Sequence, residues 1–225
     1  MKSLAYLPED YGRIRIVKSL AEVFNEPFGD ASVILFPRSL TGDFNALAKK
    51  LYSAPSEPGY SRADHAANLA KIAQEQQGSA LGDAAALVLS DLQASVKLML
   101  GHDRIFGNMR VENTGRWKGT HTVEQFHIDG TDNAAMGRAL CCYTEPVTQW
   151  IRSEDAKWVR DTQFKAKKGA EIYSFQPGDI FRIKALPNSM PELKMKKPDL
   201  SYFVHRVPQA TKEQQDNIRL LWVLG

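Results

Sequence analysis

The hydrophobic pattern of the chain changes near Arg104, and this change restricts the possible folds more than any other feature. After Arg104, apolar residues follow the period of β-strands, in short segments that proline and glycine separate. The candidate strands are 105–112, 120–128, 137–145, 148–151, 171–175, 180–185, 201–207 and 218–224. Short strands in this number, with such turns between them, predict a β-sandwich or a jelly-roll barrel.

The first half of the chain has the period of helices instead. Apolar residues recur at helical spacing over 44–52, 63–77 and 82–100, and Gly101 is a natural C-terminal stop for the last of these helices. One short apolar run, 32–36, ends at Pro37 and indicates a strand. We therefore predict an α+β fold and a single domain over residues 1–225, in which 1–103 is mainly helical and packs outside a β-barrel core formed by 104–225.

Composition indicates a soluble cytoplasmic protein. The chain is 43% hydrophobic and 24% charged, with a formal net charge of +3. Its two cysteines, Cys141 and Cys142, are adjacent and poorly placed for a disulfide, which fits a reducing compartment. No signal peptide and no membrane-length apolar run is apparent, so no membrane partner is expected. Lysine clusters near 165–168 and 194–197 are interpreted as solvated loops rather than a nucleic-acid surface.

His127 and Asp129 are the residues that most strongly suggest chemistry. They stand two positions apart in a candidate strand, so both side chains would point to one face, and His205 from a later strand would add a second imidazole. Two imidazoles and one carboxylate hold Fe(II) while leaving open coordination positions, although the same set also suits Zn(II). Each residue alone has an ordinary interpretation, as a core histidine, a turn aspartate or a surface histidine.

Two further residues are candidates for holding an organic anion. Arg219 lies in the otherwise apolar run 217–224, where a guanidinium needs a buried anion or an exit to solvent. That anion would be the carboxylate of a co-substrate or a carboxylate of the protein itself. Tyr143 could donate its hydroxyl to a bound carboxylate, and its alternative role is packing in the core.

Several motifs together resemble the Fe(II)/2-oxoglutarate-dependent dioxygenase superfamily. More narrowly, they look like a bacterial family known only as a domain of unknown function, and the resemblance covers about residues 85–225. The motifs are Phe126-His127-Ile128-Asp129, Leu140-Cys141-Cys142-Tyr143-Thr144-Glu145-Pro146-Val147-Thr148-Gln149-Trp150, Pro177-Gly178-Asp179-Ile180, His205-Arg206-Val207-Pro208 and Ile218-Arg219-Leu220.

This resemblance implies a double-stranded β-helix, of the jelly-roll or cupin-like kind, and a particular division of roles. His127, Asp129 and His205 would bind Fe(II), and Arg219 would bind the C5 carboxylate of 2-oxoglutarate. The implied activity is hydroxylation or demethylation of a small-molecule or peptide substrate. The chain departs from the superfamily at Leu221, where many members have a small hydroxyl residue.

Two other functions fit the same residues. A non-catalytic β-barrel would bind a metal or a small ligand without turnover. A zinc hydrolase would need a general base beside the metal, and Glu124 falls on the opposite face of a regular strand from His127. The sequence does not identify the substrate or the oligomeric state.

Overall fold

The structure is a computed structural model that describes residues 6–8, 11–52, 60–61, 65–102, 109–113, 124–188, 201–208 and 218–225. The helices in these ranges are α1 (Leu20–Asn25), α2 (Phe44–Leu51), α3 (His65–Glu75) and α4 (Ala80–Leu100). Side chains of Ser19, Asp43 and Ser79 cap the N-termini of α1, α2 and α4 by accepting backbone N–H bonds. Gly101 ends α4 with a left-handed φ of 70°, as predicted for this stop.

The strands of the described ranges are mostly short. They are β1 (Ile14–Ile16), β2 (Val33–Phe36), β3 (Tyr60–Ser61), β4 (Met109–Asn113), β5 (Phe126–His127), β6 (Gly130–Thr131), β7 (Arg138–Cys142), β8 (Gln149–Trp150), β9 (Ala156–Arg160), β10 (Gln163–Ala166), β11 (Tyr173–Ser174), β12 (Ile180–Ile183), β13 (Leu186–Pro187), β14 (His205–Arg206) and β15 (Ile218–Leu224).

Most of these strands belong to two sheets. The larger sheet has the order β1-β2-β12-β7-β15-β4-β3, and the smaller has the order β11-β8-β14-β5-β10-β9. A separate parallel pair joins β6 to β13. Nearly all other pairs are antiparallel, the exception being β1 with β2. The α+β class expected from the sequence is therefore confirmed.

Eight of these strands pair as a ribbon folded back on itself. In chain order they are β4, β5, β7, β8, β11, β12, β14 and β15, and the first pairs with the last, the second with the seventh, the third with the sixth and the fourth with the fifth. Successive turns of the ribbon lie side by side, since β15 also pairs with β7 and β14 with β8. Strands far apart in the sequence are thereby brought into direct contact.

The larger sheet is buried on both faces. On one face, Leu220 and Trp222 of β15 pack in a cluster with α4 residues such as Val88 and Leu92. On the other face, Leu221 and Val223 join an aromatic cluster that includes residues of the smaller sheet. Alternation along β15 thus separates a helix-facing surface from a layer between the sheets. No helix in the described parts of the chain is long and apolar enough to cross a membrane.

Several boundaries differ from the sequence expectations. The described part of the predicted strand 120–128, residues 124–128, contributes only β5, because beyond His127 the backbone leaves the sheet and β6 pairs with β13. The segment 201–207 contributes only β14. The sequence did not predict β1, α1 or the hairpin of β9 and β10; most residues of β9 are exposed, so no apolar alternation marks it. Residues 105–108 and 120–123 lie outside the described residues.

Candidate metal centre

The two histidines of the candidate site lie side by side on neighbouring strands of the smaller sheet. His127 on β5 stands directly opposite His205 on the antiparallel strand β14, and their ring centroids are 4.6 Å apart. Asp129 lies just after β5, two positions beyond His127, and its carboxylate turns back toward both imidazoles. The structure therefore brings together the three residues that the sequence singled out.

The distances among the three side chains suit one small cation. The His127 Nε2 atom is 3.3 Å from Asp129 Oδ1, and the His205 Nε2 atom is 3.6 Å from Asp129 Oδ2. One ligand atom from each residue lies within 4.8 Å of the others. Metal–ligand bonds near 2.1 Å place neighbouring ligand atoms roughly 3.0–3.5 Å apart. Small side-chain adjustments would thus complete the coordination of a divalent ion.

Backbone contacts orient both imidazoles. The Nδ1 atom of His127 lies 2.8 Å from the carbonyl oxygen of Gln125, and Nδ1 of His205 lies 3.3 Å from that of Phe203. Because a carbonyl only accepts hydrogen bonds, each Nδ1 carries the proton and donates it. Each Nε2 then faces Asp129 and is the ring nitrogen through which a metal would bind, with the Nδ1 bond to a carbonyl fixing the ring, as in metal-binding histidines.

Electrostatics keep the carboxylate ionised. Burial by itself would raise the pKa of Asp129, but His205, His127 and Arg138 outweigh burial and hold this pKa well below its ordinary value. Burial would likewise lower the pKa of His127, whereas its contact with Asp129 raises that pKa overall. A cation would therefore meet an anionic ligand and compete with the proton for His127.

Arg138 is a fourth member of the site that the sequence did not indicate. It opens β7, and its Nη1 atom is 3.4 Å from Asp129 Oδ2. Its side chain is 23% exposed, so it lines the site without being sealed in the core. No local motif marks this residue, since its place beside Asp129 depends on how β7 lies relative to the smaller sheet.

The guanidinium of Arg219 forms its hydrogen bonds with other groups of the protein in this structure. Its side chain is 1% exposed, its Nη1 donates to Glu112 Oε2 at 3.0 Å, and its Nε donates to the Pro146 carbonyl at 2.8 Å. A further contact joins Nη2 to Cys142 Sγ at 3.4 Å. Of the anions considered from the sequence, the one present is a carboxylate of the protein. Binding of 2-oxoglutarate by Arg219 stays a prediction.

Tyr143 does not lie with the triad. Its hydroxyl donates to Asp91 Oδ2 at 2.7 Å and accepts from Trp222 Nε1 at 2.9 Å, and its ring stacks on Phe44 of α2. These partners are on the helix-facing side of the larger sheet, whereas Cys142, the residue before it, faces the layer between the sheets. In this structure the hydroxyl of Tyr143 is satisfied by Asp91, which α4 carries.

Comparisons with known proteins were made by family, by sequence and by structure. No family model, no curated protein and no solved structure matches this chain. The residues of the site and the strand pairing that assembles them are therefore the features that bear on function.

Proposed function

We propose that this chain is an Fe(II)- and 2-oxoglutarate-dependent oxygenase that hydroxylates or demethylates its substrate. The observation that carries the proposal is the cluster of His127, Asp129 and His205, whose ligand atoms lie within 4.8 Å of one another. Two imidazoles and one carboxylate leave coordination positions free for a co-substrate and oxygen, as in the non-haem iron oxygenases.

The strand pairing supports the finer part of the proposal. A double-stranded β-helix is an antiparallel ribbon wound on itself, and the pairing of first with last and second with seventh strand is what such winding produces. In our proposal, His127 and His205 come from the second and seventh strands of this ribbon, which are neighbours in the smaller sheet. Resemblance of the motifs to the superfamily agrees with this assignment.

The residues of the chain have definite tasks in this proposal. His127 and His205 hold the metal through Nε2, Asp129 holds it through its carboxylate, and the backbone carbonyls of Gln125 and Phe203 fix the imidazole orientation. Bound iron supplies the activation of oxygen, coupled to oxidative decarboxylation of 2-oxoglutarate. The apolar layer between the sheets, which includes Phe203 beside His205 at 5.7 Å, limits the access of water.

An anaerobic titration with Fe(II), with and without 2-oxoglutarate, tests the proposal. A weak visible charge-transfer band that needs both additives is the expected result, followed by succinate formation when oxygen is admitted. His127→Ala should abolish both signals, whereas His102→Ala, outside the site, should leave them unchanged. Iron binding without the band or succinate would overturn the oxygenase assignment.

A non-catalytic metal-binding protein is the second candidate, and the Arg219–Glu112 pair favours it. If that pair persists in solution, Arg219 has no charge to offer a co-substrate. This candidate predicts that a divalent metal binds to the triad with no turnover under any 2-oxo acid. Measuring succinate at saturating Fe(II) separates the two candidates directly.

A further inference from the structure

Arg138 points into the same interior layer as the candidate metal centre. Along β7, Arg138 shares its face with Leu140 and Cys142, which belong to the cluster between the two sheets, whereas Ala139 and Cys141 face the helices. The backbone before it is closely constrained, because Gly137 has a φ of 68° and an added Cβ there would lie 2.1 Å from the carbonyl oxygen of Ile183. The backbone at the start of β7 therefore has little room to move, and this fixes the position from which the Arg138 side chain extends toward the site.

Within the described residues, Arg138 has hydrogen-bond donors that are not fully satisfied. A guanidinium has five N–H donors in a rigid fork. The contact to Asp129 is 3.4 Å long, beyond the usual 2.7–3.2 Å range of an N–H···O bond. Its Nε atom is buried and has no hydrogen-bond partner among the described residues. Buried donors of this kind ordinarily have a partner, so the Nε–H of Arg138 is available to bind a ligand at this position.

Charge balance indicates what kind of ligand would complete the site. The single negative charge of Asp129 is already matched by Arg138, and neutral imidazoles add none. A divalent cation bound there would leave two uncompensated positive charges in a largely buried space, which is unfavourable without an anion. Carboxylates bind both metals and guanidinium groups, and a fork such as that of Arg138 accepts them in a bidentate manner.

Arg219 is poorly placed to supply this interaction. It contacts Cys142, at the far end of β7 from Arg138, and four residues of strand correspond to roughly 13 Å. Its own charge is matched by Glu112. Between the two ends lies Leu140, a member of the apolar layer. Arg138 is therefore the guanidinium that stands next to the metal ligands.

We propose that Arg138 binds the carboxylate of an anionic ligand held by the metal at His127, Asp129 and His205. This inference rests on the proposed metal site and adds the chemical class of its ligand: an organic carboxylate that bridges the metal and the guanidinium. The carboxylate belongs either to a 2-oxo acid co-substrate or to the substrate itself.

The test uses Co(II) as a spectroscopic stand-in for iron, so that its readout does not depend on turnover. The wild-type protein, Arg138→Gln, Arg138→Lys and the control Arg206→Gln are each loaded with Co(II) and titrated with 2-oxoglutarate or with acetate. Arg206 is a suitable control because it follows His205 but its guanidinium bonds to Gln149 and lies over the Phe126 ring. Changes in the visible Co(II) bands report anion binding at the metal.

The expected result is that Arg138→Gln binds Co(II) as well as or better than wild type but binds the carboxylate roughly 10- to 100-fold more weakly. Arg138→Lys should recover part of that loss, and Arg206→Gln should behave as wild type. An effect on 2-oxoglutarate assigns the carboxylate to the co-substrate, and an effect on acetate with none on 2-oxoglutarate assigns it to a substrate carboxylate.

Two results would overturn the inference in different ways. If Arg138→Gln binds Co(II) more tightly and carboxylates as strongly as wild type, Arg138 is only a counter-ion of Asp129, and the metal site survives without this ligand. If the wild-type protein binds no Co(II), the metal site itself is wrong, and the role of Arg138 falls with the proposed function.

Discussion

Replacing Glu112 by Gln should destabilise the protein strongly, because it leaves Arg219 buried without a counter-ion. The two side chains are 1% and 5% exposed, and their charged atoms are 3.0 Å apart. Removing one partner of such a pair costs about 3–5 kcal/mol, because the remaining charge is buried and uncompensated. That is a large part of the 5–15 kcal/mol by which a domain is normally stable. For a chain of this length it corresponds to a fall in Tm of roughly 6–20 °C.

Urea unfolding, with the midpoint and slope both fitted, is the appropriate assay, since an unchanged slope shows that stability alone has changed. Glu75→Gln provides a matched control: its pair with Lys71 is exposed, and its loss should cost no more than about 0.5 kcal/mol. The double change Glu112→Leu with Arg219→Met should be much less harmful than Glu112→Gln, because two apolar groups leave no unpaired charge.

Two results would refute this reasoning. A loss below about 1 kcal/mol in Glu112→Gln would mean that solvent or another group satisfies Arg219. If 2-oxoglutarate, without metal, stabilises Glu112→Gln but not the wild type, a dicarboxylate reaches Arg219 and replaces the missing charge; at 100 times its Kd a ligand stabilises by about 2.7 kcal/mol. The second result would favour the co-substrate role that the superfamily resemblance implies for Arg219.

Other contacts lead to three more expectations. Tyr143→Phe removes a hydroxyl that donates to Asp91 at 2.7 Å, so urea unfolding should show a loss of about 1–3 kcal/mol, and a loss within error of zero would contradict the importance of this bond. Asp129→Asn should weaken Co(II) binding about 100-fold or more in a spectroscopic titration while His102→Ala does not, and equal affinities would refute the site. Burial raises the pKa of Asp179 from 3.8 to about 6. Between these two pH values the folded state keeps a proton on Asp179 that the unfolded state has lost. The contribution of this group to the free energy of unfolding therefore falls as the pH rises from 4 through 6. The unfolding free energy of wild type relative to Asp179→Asn should therefore decrease by about 2 kcal/mol between pH 4 and pH 7, and a difference that does not change with pH would be evidence against the shift.

The parts of the fold that could be predicted from sequence are those in which burial is continuous. The predicted strand 218–224 coincides with β15, because both faces of this strand are covered and its residues other than Arg219 are all apolar. The long helix predicted over 82–100 corresponds to α4, whose capping serine and terminal glycine mark its ends. Two-residue strands such as β5 and β14 have too few positions to show a hydrophobic period, so the sequence does not indicate where they begin and end.

The site could be predicted only in part, for a related reason. The spacing of His127 and Asp129 is local and visible in the sequence, and a motif suggested His205 as their partner. The pairs Arg138–Asp129 and Arg219–Glu112 depend on which strands lie side by side and in what register. No local pattern encodes those neighbours. The sequence therefore did not decide between a co-substrate and a protein carboxylate as the partner of Arg219, and it gave no indication of Arg138.

The register between β5 and β14 has consequences for the whole site. His205 stands opposite His127 on one side and opposite Trp150 of β8 on the other, so β14 is fixed between two strands. Because side chains alternate, a slip of one residue would turn His205 away and bring Arg206 to the side of the candidate metal centre, placing a positive charge where the proposed ligand His205 stands. Trp150 is fully buried and contacts Phe203 in the strand-like segment before His205, with ring centroids 5.7 Å apart. The aromatic layer between the sheets therefore does more than fill space: by opposing such a slip, it keeps the two imidazoles beside Asp129 and excludes the guanidinium of Arg206 from the candidate metal centre.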